Sequence, residues 1–445
     1  MFKALNEITN KPVIVLFMNK IVLVFLLASL LLNSCTGIIE GSAVVQEDDF
    51  NRAEEAMVKR PFPQHTRYAD ESILPNHKSQ AELDADVTAF YDYWKATYLV
   101  NNGEVAAGNA LYRVAFGKSG TARDNTVSEG QGFGMLILPV MAGYDPQAQE
   151  IFDGLWRFAR QHPSVVDPRL MDWNVSDEDD NDSAFDGDAD MALGLLLADA
   201  QWGSGRAINY KAEALILITA IRESTIGSDS RLPMLGDWVE MNGETYNQYT
   251  VRSSDFMLSN FKTFANATSD PLWNEVIANS QQVMRSLQQN YSPKAGLLPD
   301  FIILAGDARV PQPSGEDFLE GPFDGSFNYN AGRVPWRVAS HALLSGDETS
   351  AAIVRSISIW AEQTTGGNPA AFRAGYSLEG EPVRDSDYFS TFFVSPLGVA
   401  AMTNPDQQQW LNAVYETVAH THADYYEDTV NLLCLIVMSG NAWIL

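Results

Sequence analysis

Residues 184–203 read AFDGDADMALGLLLADAQWG. The run MALGLLLADA, 191–200, is an apolar helix with no polar stripe to turn toward water. Such a helix needs other elements packed on both of its faces. Helical spacing of apolar residues recurs outward from it, at 81–98, 130–141, 147–160, 212–222, 254–265, 271–289, 334–344, 351–363, 407–417 and 430–439. That predicts eleven or twelve helices with little credible strand. Some are apolar all round and others amphipathic, which fits two nested rings, the inner one buried on both faces. The expected fold class is all-α: an (α/α)6 barrel. Its cleft should lie where the long loops, rich in Asp, Gly, Pro and aromatics, gather.

The whole chain agrees with a large folded domain. It has 445 residues, 46% of them hydrophobic and 19% charged, which excludes a disordered chain, a collagen and a coiled coil. A net charge of −28 repels phosphate backbones, so no nucleic-acid partner is expected. Two cysteines allow at most one disulfide. Residues 1–34 read as an export signal: Lys11 and Lys20 precede the apolar run IVLVFLLASLLL, 21–32, too short to span a bilayer comfortably. The segment LNSC, 32–35, resembles a bacterial lipoprotein box, which implies cleavage before Cys35 and a lipid on its sulfur. That places the expected protein at the cell envelope, anchored to a membrane, or secreted if the box is not used. Residues 35–65 are acidic and end in Pro61 and Pro63, so they are expected to be a tether. Residues 66–445 are expected to form one domain, acting as a monomer. Cys434 lies in NLLCLIVM and should be a buried, inert thiol.

The chemistry narrows by elimination. The six histidines form no HExxH or Cys/His cluster, and the acid run 177–190 fails the EF-hand template, so no metal is expected. GxSxG and GxxxxGK[ST] are both missing. What remains is carboxylates among aromatics and glycines. Glu129 stands in SEGQGFGM just before an apolar helix, where apolar neighbours raise a carboxyl's pKa and let it hold a proton near neutral pH. Asp186 stands at another loop-to-helix junction, with Asp188 or Asp190 expected to cap that helix. Two acids in one cleft, beside tryptophans, suit glycoside hydrolysis: one protonates the leaving oxygen and the other activates water. Sugar rings stack on exposed aromatic faces, so Trp173 and Tyr329, with Tyr388 behind them, are the candidate platforms. Trp202 and Trp336 sit at helix ends and are assigned to packing.

Four segments, SEGQGFGMLI, MDWNV, AFDGDADMALGLLLADAQWG and NAGRVPWR, occur in the order found in glycoside hydrolase family 8, and the chain resembles that family from about residue 85 to its end. The resemblance implies an (α/α)6 barrel and a cofactor-free inverting endo-hydrolase acting on a polysaccharide with a β-1,4-linked backbone. It implies Glu129 as general acid, Asp186 as the aspartate contacting the sugar at the cleavage point, Trp173 as a cleft aromatic and Arg333 as the arginine of the RxPWR segment. Phe185 and Gly194 depart from the family signature without removing a chemical group.

A third departure bears on mechanism. Most members carry an aspartate as general base where this chain has Asn330, and an amide cannot act as that base. One subgroup, of chitosanases and mixed-linkage β-glucanases, has the same asparagine and takes its base from a glutamate in an upstream loop. The loop PQPSGEDFLEGPFDGSFNYN, 311–330, offers Glu316, Asp317, Glu320 and Asp324. DFLE matches the subgroup best, so Glu320 is the first choice and Glu316 the second. RSSDFMLSNF, 252–261, also resembles that subgroup and adds Asp255 as a cleft acid. Chitosan and mixed-linkage β-glucan are the favoured substrates, ahead of cellulose or xylan. The alternative is a non-catalytic glycan-binding lipoprotein that has lost its base.

Overall fold

The computed structural model of the chain describes residues 58–176, 181–443 and 445. The expected signal, Cys35 and most of the expected tether lie outside the described residues, as does the acidic stretch 177–180. Among the described residues the order is α1 (Gln80–Tyr98), β1 (Leu99–Glu104), β2 (Ala110–Val114), α2 (Gly120–Asp124), α3 (Ser128–Met141), α4 (Ala148–Gln161), α5 (Phe185–Trp202) and α6 (Tyr210–Ser224). There follow β3 (Thr250–Arg252), α7 (Leu258–Thr268), α8 (Leu272–Tyr291), β4 (Phe301–Ala305), β5 (Val310–Pro313), α9 (Val334–Ser345), α10 (Glu348–Thr365), α11 (Thr391–Ala401), α12 (Gln408–Val418) and α13 (Tyr425–Met438).

The helices close into an (α/α)6 barrel. Each of α3, α5, α7, α9, α11 and α13 packs on the next, and α13 returns to α3, so these six form a closed inner ring. The outer helices α4, α6, α8, α10, α12 and α1 pack on the inner ring from outside, α10 across both α9 and α11. Burial sorts them as the apolar patterning does: every residue of α3 and α11 is buried, whereas α4 and α8 bury one stripe. At the barrel's outer rim Ser79 starts α1 with a capping box, its backbone N–H donating to the Glu82 carboxylate and its Oγ accepting from Glu82 N–H.

The seam between α3 and α5 is set by glycines. A Cβ on Gly187 would lie 2.6 Å from the Ser128 carbonyl carbon, and one on Gly194 would lie 2.8 Å from the Met135 carbonyl oxygen. Gly194, a departure from the family signature, is therefore where these two inner helices touch.

Three expectations change. All eleven expected helices exist, but α5 begins at Phe185, so the whole DGDAD run is helical. Neither Asp188 nor Asp190 caps it: Ala184 is the cap position without a side-chain bond, Asp188 accepts from Met171 N–H at 3.0 Å, and Asp190 is bound by Arg337 at 2.8 and 2.5 Å. Helix α11 is an addition, and so is the antiparallel sheet β3–β4–β5, in which Arg252 pairs with Phe301. The described end of the expected tether, 58–65, lies against the barrel: Lys59 N–H donates to Gln201 O, Phe62 N–H to Ala142 O, and Gln64 N–H to Asn441 Oδ1. Cys434 is buried and unpaired, as expected.

Candidate active site

The inner helices present their N-termini to one end of the barrel. Glu129 and Asp186 are the second residues of α3 and α5, Arg333 immediately precedes α9, and Tyr426 is the second residue of α13. Each helix start carries roughly half a positive charge, so this end attracts carboxylates. Arg333 stands at its centre, 2% exposed. Its Nη1 donates to both Glu129 Oε1 and Asp186 Oδ2, the latter at 2.6 Å. Its Nη2 donates to Ser254 Oγ and Asn330 Oδ1, each at 2.8 Å. One guanidinium thus fixes four side chains from four segments.

The two carboxyls on Nη1 are driven apart in acidity. Burial pushes Glu129 up to about 7, against the pull of Arg333 and with the Asp186 charge adding to the rise. Burial also opposes ionisation of Asp186, but the Arg333 and Arg252 charges outweigh it and hold this carboxyl at about 2. Near neutral pH the pair therefore offers one proton donor and one anion, the division that acid-catalysed glycoside cleavage requires. Tyr426 Oη donates to Glu129 Oε1 at 3.5 Å and to Tyr329 O at 3.3 Å.

Glu320 reaches the same cluster from the loop after β5. Asn330 Nδ2 donates to Glu320 Oε2 at 2.9 Å, so the glutamate stands directly at the amide, which in turn accepts from Arg333. The loop is fastened on both sides of Glu320. Phe318 and Leu319 pack on Met234, Leu235, Val239 and Phe301, and Tyr246 Oη donates to Phe318 O at 2.7 Å. The Asp324 carboxylate accepts from the N–H groups of Leu319, Glu320 and Gly321 at 2.7 to 3.0 Å. Asp324 is therefore a brace of the loop. Glu316 and Asp317 lie on its exposed side.

Arg252, at the end of β3, adds a second cation. Its guanidinium lies 3.5 Å from Glu320 Oε1, 3.7 Å from Asp186 Oδ2 and 3.9 Å from Asp255 Oδ1. Asp255 is completely buried, and burial pushes it up to about 7. It therefore lies behind Arg252, away from the cleft surface. Asp300 is likewise pushed up to about 7 by burial, and accepts from Asn328 N–H at 3.0 Å and Ala331 N–H at 2.7 Å. It holds the backbone on either side of Asn330.

Trp173 is half-buried beside α3, its carbonyl accepting from Ser128 N–H at 3.0 Å. Tyr329 stacks on Phe392 at 5.4 Å and shares a 2.7 Å hydrogen bond with the exposed Tyr388. Trp202 and Trp336 are buried in the packing. Glu129, Asp186, Arg333, Asn330 and Glu320 thus belong to one network, with Asp255 behind it, whereas Glu316, the second choice for the base, lies outside it. Arg252, Ser254, Asp300 and Tyr426 were not singled out. Arg252 and Ser254 lie within the quoted RSSDFMLSNF; Asp300 and Tyr426 carry no local sequence signal. Among the described residues no group of His, Cys, Asp or Glu is arranged to hold a metal.

Residues 77–440 match the family described as Glycosyl hydrolases family 8. A beta-glucanase of Niallia circulans is 42% identical over 393 residues, covering 87% of this chain and 92% of that protein. An endoglucanase of Bacillus sp. (strain KSM-330) is 37% identical over 391 residues, covering 86% and 82%. The apo structure of a beta-1,3-1,4-glucanase from Paenibacillus sp. X4 is 40% identical and superposes with a TM-score of 0.81, covering 87% of this chain and 99% of that one.

Proposed function

The chain belongs to glycosyl hydrolase family 8 and is a glycoside hydrolase, and from that premise we propose that it is an inverting endo-β-glucanase whose preferred substrate is mixed-linkage β-1,3-1,4-glucan. The names of its relatives, a beta-glucanase, an endoglucanase and a beta-1,3-1,4-glucanase, support the glucan backbone. The observation that carries the mechanism is the 2.9 Å hydrogen bond from Asn330 to Glu320, which sets a carboxylate beside the amide at the usual base position.

In this reading hydrolysis is a single displacement. Glu129 gives its proton to the glycosidic oxygen as the bond to C1 breaks. Glu320, as the carboxylate, takes a proton from a water that attacks C1 from the opposite face. Asp186, kept ionised by two arginines, binds the sugar at the point of cleavage, while Trp173 and Tyr329 offer it aromatic faces. An inverting pair needs roughly 6.5–9.5 Å between its carboxyls for the water; here Glu129 and Glu320 do not bond each other directly but are linked through Arg333 and Asn330. As pH rises through about 7 the acid is lost, so the rate should decline there. We extend the proposal to the address: export and lipid attachment at Cys35, supported by the sequence alone. Cys35→Ala should then move the protein from the membrane fraction to the soluble one.

The test is hydrolysis of mixed-linkage β-glucan, carboxymethyl cellulose, chitosan and xylan, with product anomers followed by NMR. The expected result is fastest cleavage of mixed-linkage β-glucan with first-formed α-anomer. Faster cleavage of chitosan would overturn the substrate, and first-formed β-anomer would overturn the mechanism.

A further inference from the structure

The proposed base differs from the other site carboxylates in its support. Glu129 and Asp186 project from inner helices, but Glu320 comes from a loop and its side chain is 27% exposed. Braces on the backbone fix where the loop runs; they do not fix where its carboxylate points. One side-chain contact, Asn330 Nδ2 on Oε2, leaves the group free to turn about that bond. Oε1 faces Arg252 Nη2 at 3.5 Å.

We propose that Arg252 is the positioning residue of the displaced base, its guanidinium tying the Glu320 carboxylate to Asp186 across the cleft. The inference rests on Glu320 being the base. Two separate elements hold the arginine in place. Its backbone pairs with Phe301 in the sheet, and its guanidinium lies over the Phe301 ring at 5.5 Å. Asp255, three residues on, faces it from behind at 3.9 Å, and neither Asp255 oxygen has a hydrogen-bond partner. Asp255 thus bonds no backbone group through its side chain, and Arg252 is the cation within 4 Å of it among the described residues.

The fork is shared rather than closed. Its nitrogens stand 3.5 to 3.9 Å from three carboxylates, and Nε is buried without a partner. An arginine that served packing alone would be expected to close on one acid in a bidentate pair, as Arg337 does with Asp190. Catalytic hydrogen bonds that are long in a free enzyme tighten when substrate enters. Arg252 is placed to close on Glu320 when the sugar displaces solvent from the cleft. The charged groups facing it are Asp186 on α5, Asp255 on the turn before α7, Glu320 on the loop and the repelling Arg333 before α9.

The experiment measures kcat and KM on mixed-linkage β-glucan across pH for the wild type, Glu320→Ala, Arg252→Lys and Arg252→Met. Inactivity of Glu320→Ala checks the premise separately; an active Glu320→Ala enzyme removes that premise. With the premise intact, Arg252→Met should lose about 10- to 100-fold in kcat with little change in KM, as expected when a proton-transfer group is misplaced. Its acid limb should move up by about one pH unit or more, because a cation that favours the ionised acids is gone. Arg252→Lys should keep the wild-type limb, since the charge remains, and lose kcat, since the fork does not. Equal loss in both variants with an unmoved limb, or wild-type kcat in Arg252→Met, overturns the proposal.

Discussion

Asn330 stands between the central arginine and the proposed base. Its amide accepts from Arg333 on one side and donates to Glu320 on the other. An aspartate would still accept from Arg333 but would set a second carboxylate against Glu320, where like charges keep one of the pair protonated. Asn330→Asp should therefore lower kcat by about tenfold or more in the wild type, yet revive part of the activity of Glu320→Ala, where the added carboxylate has no rival. Stopped assays on the two single variants and the double variant check this; wild-type rates for Asn330→Asp would refute it. Glu129, Asp186, Arg333 and Asn330 were legible in the sequence because each lies in a short segment with its own pattern. Arg252 lay in such a segment, RSSDFMLSNF, but its role did not show, because its partner Glu320 is 68 positions away; Asp300 lay in none, and its partner Ala331 is 31 positions on. A single arginine or aspartate at a strand end leaves no trace in periodicity.

At the scale of elements, the site depends on how closely α3 and α5 approach. The Cβ of an alanine at position 187 would meet Ser128 backbone at 2.6 Å, one residue before Glu129. The helices would have to separate, and with them Glu129 and Asp186. Gly187→Ala is expected to cost about 1–3 kcal/mol in stability, the usual range for overpacking, and to lower kcat by more than that loss of folded protein explains. Chemical denaturation and titrated active-site concentration separate the two effects; unchanged kcat per folded molecule would contradict it. The eleven helices were legible in the sequence because their apolar residues recur at helical spacing, as in α4 and α8, or run on over several turns, as in α3 and α5. Helix α11, TFFVSPLGVAA, was not: it opens with aromatic and β-branched residues and holds Pro396 inside. Packing between α9 and α13 supplies what its propensity lacks. The β3–β4–β5 sheet was equally illegible. Its strands are three to five residues long, too short for alternation to show.

At the scale of the whole molecule, buried carboxyls set the pH dependence of stability. Glu129, Asp255 and Asp300 are pushed by burial from ordinary values of 4.5, 3.8 and 3.8 up to about 7. Between roughly pH 4 and pH 7 the unfolded chain therefore binds fewer protons than the folded one, and stability falls as pH rises through that window. Asp186 is held at about 2, and so is Asp167, chiefly by its hydrogen bond with Arg169; their contribution is lost as pH falls from 3.8 toward 2. Melting temperature should accordingly peak near about pH 4–5 and decline toward neutrality, with Asp300→Asn flattening the decline. Calorimetry that finds Tm rising from pH 5 to 7 would contradict this. In the proposed mechanism the same barrel that buries these acids delivers Glu129 to the cleft as a proton donor, opposite Glu320 as a base carried in by a loop. The most direct test of that arrangement is the Glu320→Ala enzyme assayed on mixed-linkage β-glucan with and without azide. The account predicts no hydrolysis without azide, and with it an α-glycosyl azide, formed as azide attacks C1 on the face opposite the leaving group while Glu129 protonates the departing oxygen. Hydrolysis at the wild-type rate without azide, or a β-glycosyl azide with it, would contradict the account.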